Sequence, residues 1–182
     1  LIGPEVLSAG LDRETSYVLP VEGDLGYAAE ALTEPWACVE AAYTQRRRLE
    51  ILGGGTMWIL GHVEDTTSYE FSEGLSEPSV IVLTDVSPAM QTLVQQEAEK
   101  RDVQVIERNG LTVEDYADLR DLTDGAGFDD IVVLDPRSAE AISEAAKLIA
   151  RRGTFNMVGK TPLDGLPEID VGRMHYDYTA YI

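Results

Sequence analysis

Short apolar runs recur along the chain at residues 57–60, 80–83, 103–106, 131–134 and 155–158, about two dozen residues apart. The runs at 57–60, 80–83 and 131–134 are continuously apolar rather than alternating, which predicts strands buried on both faces. Each gap is long enough for a crossover helix, so the pattern predicts a parallel sheet with helices against it. Several gaps carry helix-end signals. Ser87-Pro88 offers an N-cap and an N1 proline, followed by a face of Met90, Leu93, Val94 and Ala98. Thr112 with Asp115 resembles a capping box. Ser138 starts a further helix with Ile142, Ala145, Ala146 and Ile149 as its apolar face. Arg151-Arg152-Gly153 reads as its basic last turn and glycine stop.

The first gap is different. Residues 62–79 are polar, with Gly74 and Pro78, and only Tyr69, Phe71 and Leu75 could anchor them. A long regular helix is not expected there. Gly53-Gly54-Gly55 precedes the first strand, so it is a turn; a phosphate loop must follow the strand.

Upstream, residues 1–27 are rich in glycine and proline, with a short strand expected at Tyr17-Val18-Leu19. Helix-prone residues 28–32 lead to Thr33, a cap for a second helix. Trp36, Val39, Ala42 and Tyr43 form its buried stripe, and Arg46-Arg47-Arg48 a solvated basic end. The aromatics of residues 175–182 predict a sixth strand.

Composition narrows the picture. The chain has 182 residues, 44% of them hydrophobic, which suits one globular domain with some extra chain. Its net charge of −19 argues against nucleic-acid or membrane-surface binding. The single cysteine, Cys38, excludes an internal disulfide framework and reads as an inert core residue on the helical stripe. No apolar run approaches the ~20 residues of a membrane span. A cytoplasmic protein is the expectation.

The candidate chemistry lies between the first two strands. Asp85 follows the second strand, 24 residues past Gly61, where a carboxylate can accept hydrogen bonds from a ribose and favour NAD over NADP. Gly61 allows close backbone approach after the first strand. The loop itself reads Gly61-His62-Val63-Glu64-Asp65-Thr66, not a glycine-rich cradle. A like-charge pair at ~4 Å and an effective dielectric of ~20 costs about 4 kcal/mol, so Glu64 and Asp65 would oppose a pyrophosphate. His62 and His175 lack the convergent partners a metal needs. Glu34 has no meaning from spacing alone beyond a first-turn helix acid.

Longer stretches carry a resemblance. Ala31-Leu32-Thr33-Glu34-Pro35-Trp36-Ala37-Cys38-Val39-Glu40 resembles the segment joining the two domains of zinc-dependent medium-chain alcohol and polyol dehydrogenases. Leu122-Thr123-Asp124-Gly125-Ala126-Gly127-Phe128-Asp129-Asp130 and Ala150-Arg151-Arg152-Gly153-Thr154-Phe155-Asn156-Met157-Val158-Gly159 continue it, as does Asp170-Val171-Gly172-Arg173-Met174-His175-Tyr176-Asp177-Tyr178. The resemblance implies a Rossmann-like, doubly wound parallel sheet of order 3-2-1-4-5-6. It implies Asp85 as the ribose acid, Val158 and Gly159 beside the nicotinamide, and Glu34 as ligand or neighbour of a catalytic zinc. The strand near residues 178–182 would mediate a homodimer. Residues 1–50 would be a remnant of catalytic-domain edge and interdomain helix, and residues 51–182 the cofactor domain. The other zinc ligands of that family are not in this sequence, so a missing catalytic domain would have to supply them. The expected function is the NAD(P)-binding portion of such a dehydrogenase, inactive alone. The alternative is a degenerate, non-catalytic dimerisation or regulatory module. A methyltransferase shares the acid after the second strand but gains nothing from Glu34-Pro35.

Overall fold

The order of the strands decides the architecture. A computed structural model describes residues 23–24, 26–44, 46–71 and 74–182; the strand expected at Tyr17-Val18-Leu19 lies outside them. Six strands form one all-parallel sheet: β1 (Thr56–Leu60), β2 (Val80–Thr84), β3 (Gln104–Glu107), β4 (Phe128–Leu134), β5 (Ile149–Val158) and β6 (Ala180–Tyr181). Their order across the sheet is β3-β2-β1-β4-β5-β6, the Rossmann-like order expected. Each of β1, β2 and β4 carries an unbroken apolar run because both faces are covered. One face packs Trp58, Leu60, Val82, Ile131, Val133 and Phe155 with Phe128 and Ile142. The other packs Met57, Ile59, Ile81, Leu83, Val132 and Leu134 with Leu75, Met90 and Val94. The indole N–H of Trp58 donates to the buried Thr84 hydroxyl at 2.9 Å, so this core polar pair is satisfied.

The helix ends form as their sequences require. Helix α3 (Pro88–Glu99) has Ser87 as N-cap, accepting from Met90 N, and Pro88 in its first turn. The 3-10 helix Val113–Thr123 carries the Thr112–Asp115 capping box. Helix α4 (Ala139–Ala146) is capped by Ser138, whose hydroxyl accepts from Ala141 N. It stops at Ala146, earlier than expected. Ile149 belongs to β5, and Arg151, Arg152 and Gly153 lie within that strand, not in a helix end. The extra residues are absorbed by an irregularity: Phe128 pairs with Ile149 but Asp130 with Thr154, and Arg152 takes a φ of 63°. The C-terminal strand is also shorter than expected, because His175 and Tyr176 end helix α5 (Val171–Tyr176). Gly53-Gly54-Gly55 is the turn expected, with Gly54 at φ 74° and its N–H on Glu77 O.

The chain divides into two compact units, one ending at Arg46 and the other running Arg47–Ile182. The first contains α1 (Tyr27–Ala31) and α2 (Thr33–Thr44). Its expected buried stripe is not buried: Trp36 is 69% exposed and Tyr43 86%, and Val39 is exposed too. The side chain of Ala42 lies outside the described residues. Helical spacing aligns these residues, but the five-residue α1 is too short to cover them. Cys38 is likewise exposed, not a core residue, and its thiol donates to Glu34 Oε1 at 3.2 Å. That bond, with slight burial and the Glu34 charge, raises the thiol pKa, so it is a poor nucleophile. The arginine run also differs from expectation. No basic residue occupies the last turn of α2; in the second unit, Arg47 donates to Thr179 O and Met174 O. Arg48 pairs with the buried Asp130 at 2.8 Å. Among the described residues no helix is long and apolar enough to cross a membrane.

Candidate nucleotide site

Strand β1 pairs with β2 on one side and β4 on the other. The chain therefore leaves the carboxyl ends of β1 and β4 in opposite directions, which opens a crevice at the switch point. A cavity of about 410 Å³ lies there, lined by Gly61, His62, Glu64, Asp85, Tyr116 and Arg137 among others. Its apolar wall comes from Leu60, Leu111, Val133, Ala141 and Ile142.

Gly61 and Asp85 meet in this cavity. The Gly61 N–H donates to Thr84 O at 3.0 Å, and a Cβ there would lie 3.3 Å from Val86 Cα. Glycine thus lets the end of β1 close on the turn after β2. Asp85 sits at φ 50°, a left-handed conformation that Asp tolerates better than most residues. Its N–H donates to Asn109 Oδ1 at 2.9 Å, and its own Oδ1 accepts from Gly110 N at 2.7 Å. One carboxylate oxygen thus holds the turn after β3. Burial and the Asp85 charge together raise the pKa of the Tyr116 phenol.

Two turns frame the mouth. After β1, Asp65 N donates to His62 O at 2.9 Å. The Asp65 carboxylate accepts from Thr67 N at 2.9 Å and from Tyr69 Oη at 2.6 Å. Burial alone would raise the pKa of Asp65, but these bonds outweigh it and the net shift is downward. Burial and the Asp65 bond push the Tyr69 phenol up to about 12. Among the described residues between β1 and β2 there is no helix. Tyr69, Phe71 and Leu75 anchor this connection to the core, as their apolarity predicts.

After β4, the buried Asp135 is a hub. It accepts from Thr161 Oγ1 at 2.7 Å and from Arg137 Nε and Nη2 at 3.0 and 2.8 Å. The Thr161 hydroxyl and the guanidinium lower its pKa. The same pairing raises the pKa of Arg137, helped by the charges of Asp65 and Glu64. His62 Nε2 lies 3.2 Å from Asp135 O and links the two turns. Asp135, Arg137 and the His62 contact are not legible as site features from periodicity. The available signal is position: Asp135-Pro136-Arg137-Ser138 directly follows the strand that flanks β1.

Val158, Gly159 and Glu34 are not among the residues that line this cavity. A Cβ on Gly159 would come 2.8 Å from Asp135 Cα and 2.9 Å from Pro136 Cδ, so this glycine backs the β4 turn. Val158, 38% exposed, lines a separate groove with Leu134, Tyr69 and Phe71. Glu34 is exposed on α2, in the other unit. Among the described residues no three His, Cys, Asp or Glu side chains converge as a metal site.

Asp85 and the apolar wall suit a ribose and base. A pyrophosphate needs bare backbone N–H groups and a helix N-terminus after β1. Here that position holds Glu64, Asp65 and, among the described residues, no helix, so its carboxylates oppose a pyrophosphate.

No family model matches the chain, and no curated protein matches it. Solved structures do. Benzyl alcohol dehydrogenase from Acinetobacter calcoaceticus is 17% identical, with a TM-score of 0.49 over 90% of this chain and 43% of that one. The 2R,3R-butanediol dehydrogenase from Bacillus subtilis is 17% identical, with a TM-score of 0.48 over 90% and 44%. An alcohol dehydrogenase zinc-binding domain protein from Burkholderia ambifaria is 18% identical, with a TM-score of 0.49 over 72% and 34%. The chain spans less than half the length of each of these. The likeness is one of fold, and the fold itself rests on the sheet order above.

Proposed function

We propose that this chain is the portion of a medium-chain alcohol, polyol or sugar dehydrogenase-like oxidoreductase that corresponds to its NAD(P)-binding domain, that its cavity keeps the nucleoside end of that site, and that it has no activity alone. The observation supporting this is the meeting of Gly61 and Asp85 in one cavity at the switch point. Zinc chemistry would require a catalytic domain supplying ligands beside Glu34. The short edge strand β6 is the surface proposed for a homodimer.

The test is calorimetric titration with adenosine, ADP-ribose and NADH, repeated on Asp85→Asn. Asparagine keeps the Oδ1 that holds Gly110 N and tolerates the left-handed φ, but replaces the acceptor that would face a ribose. Losing a charged acceptor should weaken binding about tenfold to hundredfold. The second reading, a degenerate non-catalytic module, draws on the helix-free, acidic turn after β1. It predicts no saturable binding of any adenosine-bearing ligand at millimolar concentration.

A further inference from the structure

We infer that the cavity at the ends of β1 and β4 is selective for a nucleoside without phosphate, neutral or cationic at its 5′ position. This rests on the reading of the cavity as a nucleotide site and changes what that site accepts.

The guanidinium at the mouth and two nearby helix amides that could receive a phosphate are already committed. Among the described residues Arg137 is the only arginine or lysine that lines the cavity, and its guanidinium is turned onto Asp135 through two N–H groups. The fields of Asp65 and Glu64 also fall on it. The first turn of α4 borders the cavity at Ser138, and two of its amides have internal acceptors. Ala139 N donates to Asp164 Oδ1 at 2.7 Å and Ala141 N to Ser138 Oγ at 3.2 Å. The turn after β1 offers carboxylates where a dinucleotide fold offers amides. Glu64 and Asp85 thus line the cavity with one arginine that is already paired to Asp135, and the chain's charge of −19 adds repulsion at longer range.

The interior is less hostile. Asp85 Oδ1 is held by Gly110 N, and among the described residues Oδ2 accepts no hydrogen bond, so it can take a ribose hydroxyl. Leu111 and Ala141 supply apolar surface for a flat base. The volume of about 410 Å³ falls in the lower part of the range for small-ligand sites. A nucleoside can therefore bury its base and ribose while its 5′ group meets the acidic mouth. A cation there gains, a hydroxyl is neutral, and a phosphate is repelled.

The experiment is a charge series at one atom, read by calorimetry on the full chain: 5′-amino-5′-deoxyadenosine, adenosine, AMP and ADP-ribose. The amine should bind at least as well as adenosine, and AMP at least about tenfold more weakly at low salt. Glu64→Gln and added salt should each narrow that gap. Glu64 is exposed and makes no side-chain hydrogen bond among the described residues, so this change should leave folding intact. If AMP or ADP-ribose binds as tightly as adenosine, the selectivity is overturned while the cavity stands as a nucleotide site. If no member of the series binds, the inference and the site reading both fall.

Discussion

The connections leaving β1 and β4 begin side by side at the switch point, yet they are stabilised by different means. The β4 connection builds a capped helix, α4, and drives Ile142, Ala145 and Ala146 into the core. The β1 connection builds no helix among its described residues. It lies on the opposite face through Tyr69, Phe71 and Leu75, with Asp65 closing its first turn. A helix brings many buried contacts and its own satisfied backbone; a polar loop must find anchors one at a time. The difference also decides the chemistry at the mouth. A helix after β1 would have offered free amides to an anion, and the loop offers carboxylates instead.

The largest test of this contrast is in the core. Ile142 is fully buried beneath Trp58 and Phe155, so Ile142→Ala should destabilise the fold by about 2–5 kcal/mol. Phe71→Ala, which removes a partly buried anchor of the other connection, should cost less. Urea denaturation of both variants orders them, and a larger loss at Phe71 would break the comparison.

What the sequence shows and hides follows the same division. Strands β1, β2 and β4 are legible because burial on two faces leaves each an unbroken run of four apolar residues. The caps at Ser87, Thr112 and Ser138 are legible because each is a local bond between near neighbours. Ile149 is not: it continues the helical spacing of Ile142 and Ala146, and equally well opens a strand. Only pairing with Phe128 decides, and that is a long-range contact. The stripe of Trp36, Val39 and Tyr43 misleads for a related reason. Periodicity says which residues share a face and nothing about what covers that face. At the site, the position of Asp85 is legible, but its bond to Gly110 depends on where β3 ends. Arg137 is hidden because its commitment depends on Asp135 and on the packing of the two turns.

A smaller effect is expected at the helix cap. Ser138→Ala removes the acceptor for Ala141 N and should cost about 1 kcal/mol. Thr66→Ala, at an exposed position in the β1 turn, should change stability by less than about 0.5 kcal/mol. Thermal melts by circular dichroism distinguish them; equal losses would mean the β1 turn is as ordered by local caps as α4 is.

The smallest effect separates the two turns by their carboxylates. Asp65 and Asp135 both have pKa values below the ordinary aspartate value of about 3.9. The unfolded chain therefore takes up these protons first as pH falls. The stabilisation is complete above the ordinary value and is lost as pH drops through the folded values. Asp65→Asn and Asp135→Asn should each lie below the parent protein in urea midpoint by a constant gap above about pH 5, and the gaps should close below about pH 4. Salt tells them apart. Asp135 is held partly by the Arg137 guanidinium, a half-exposed ion pair that salt screens. Asp65 is held by a hydroxyl and an amide, which carry no net charge. Added sodium chloride should therefore shrink the Asp135→Asn gap at neutral pH and leave the Asp65→Asn gap in place. Equal salt sensitivity would mean that the arginine also supports the turn after β1, and that its charge is not committed to Asp135.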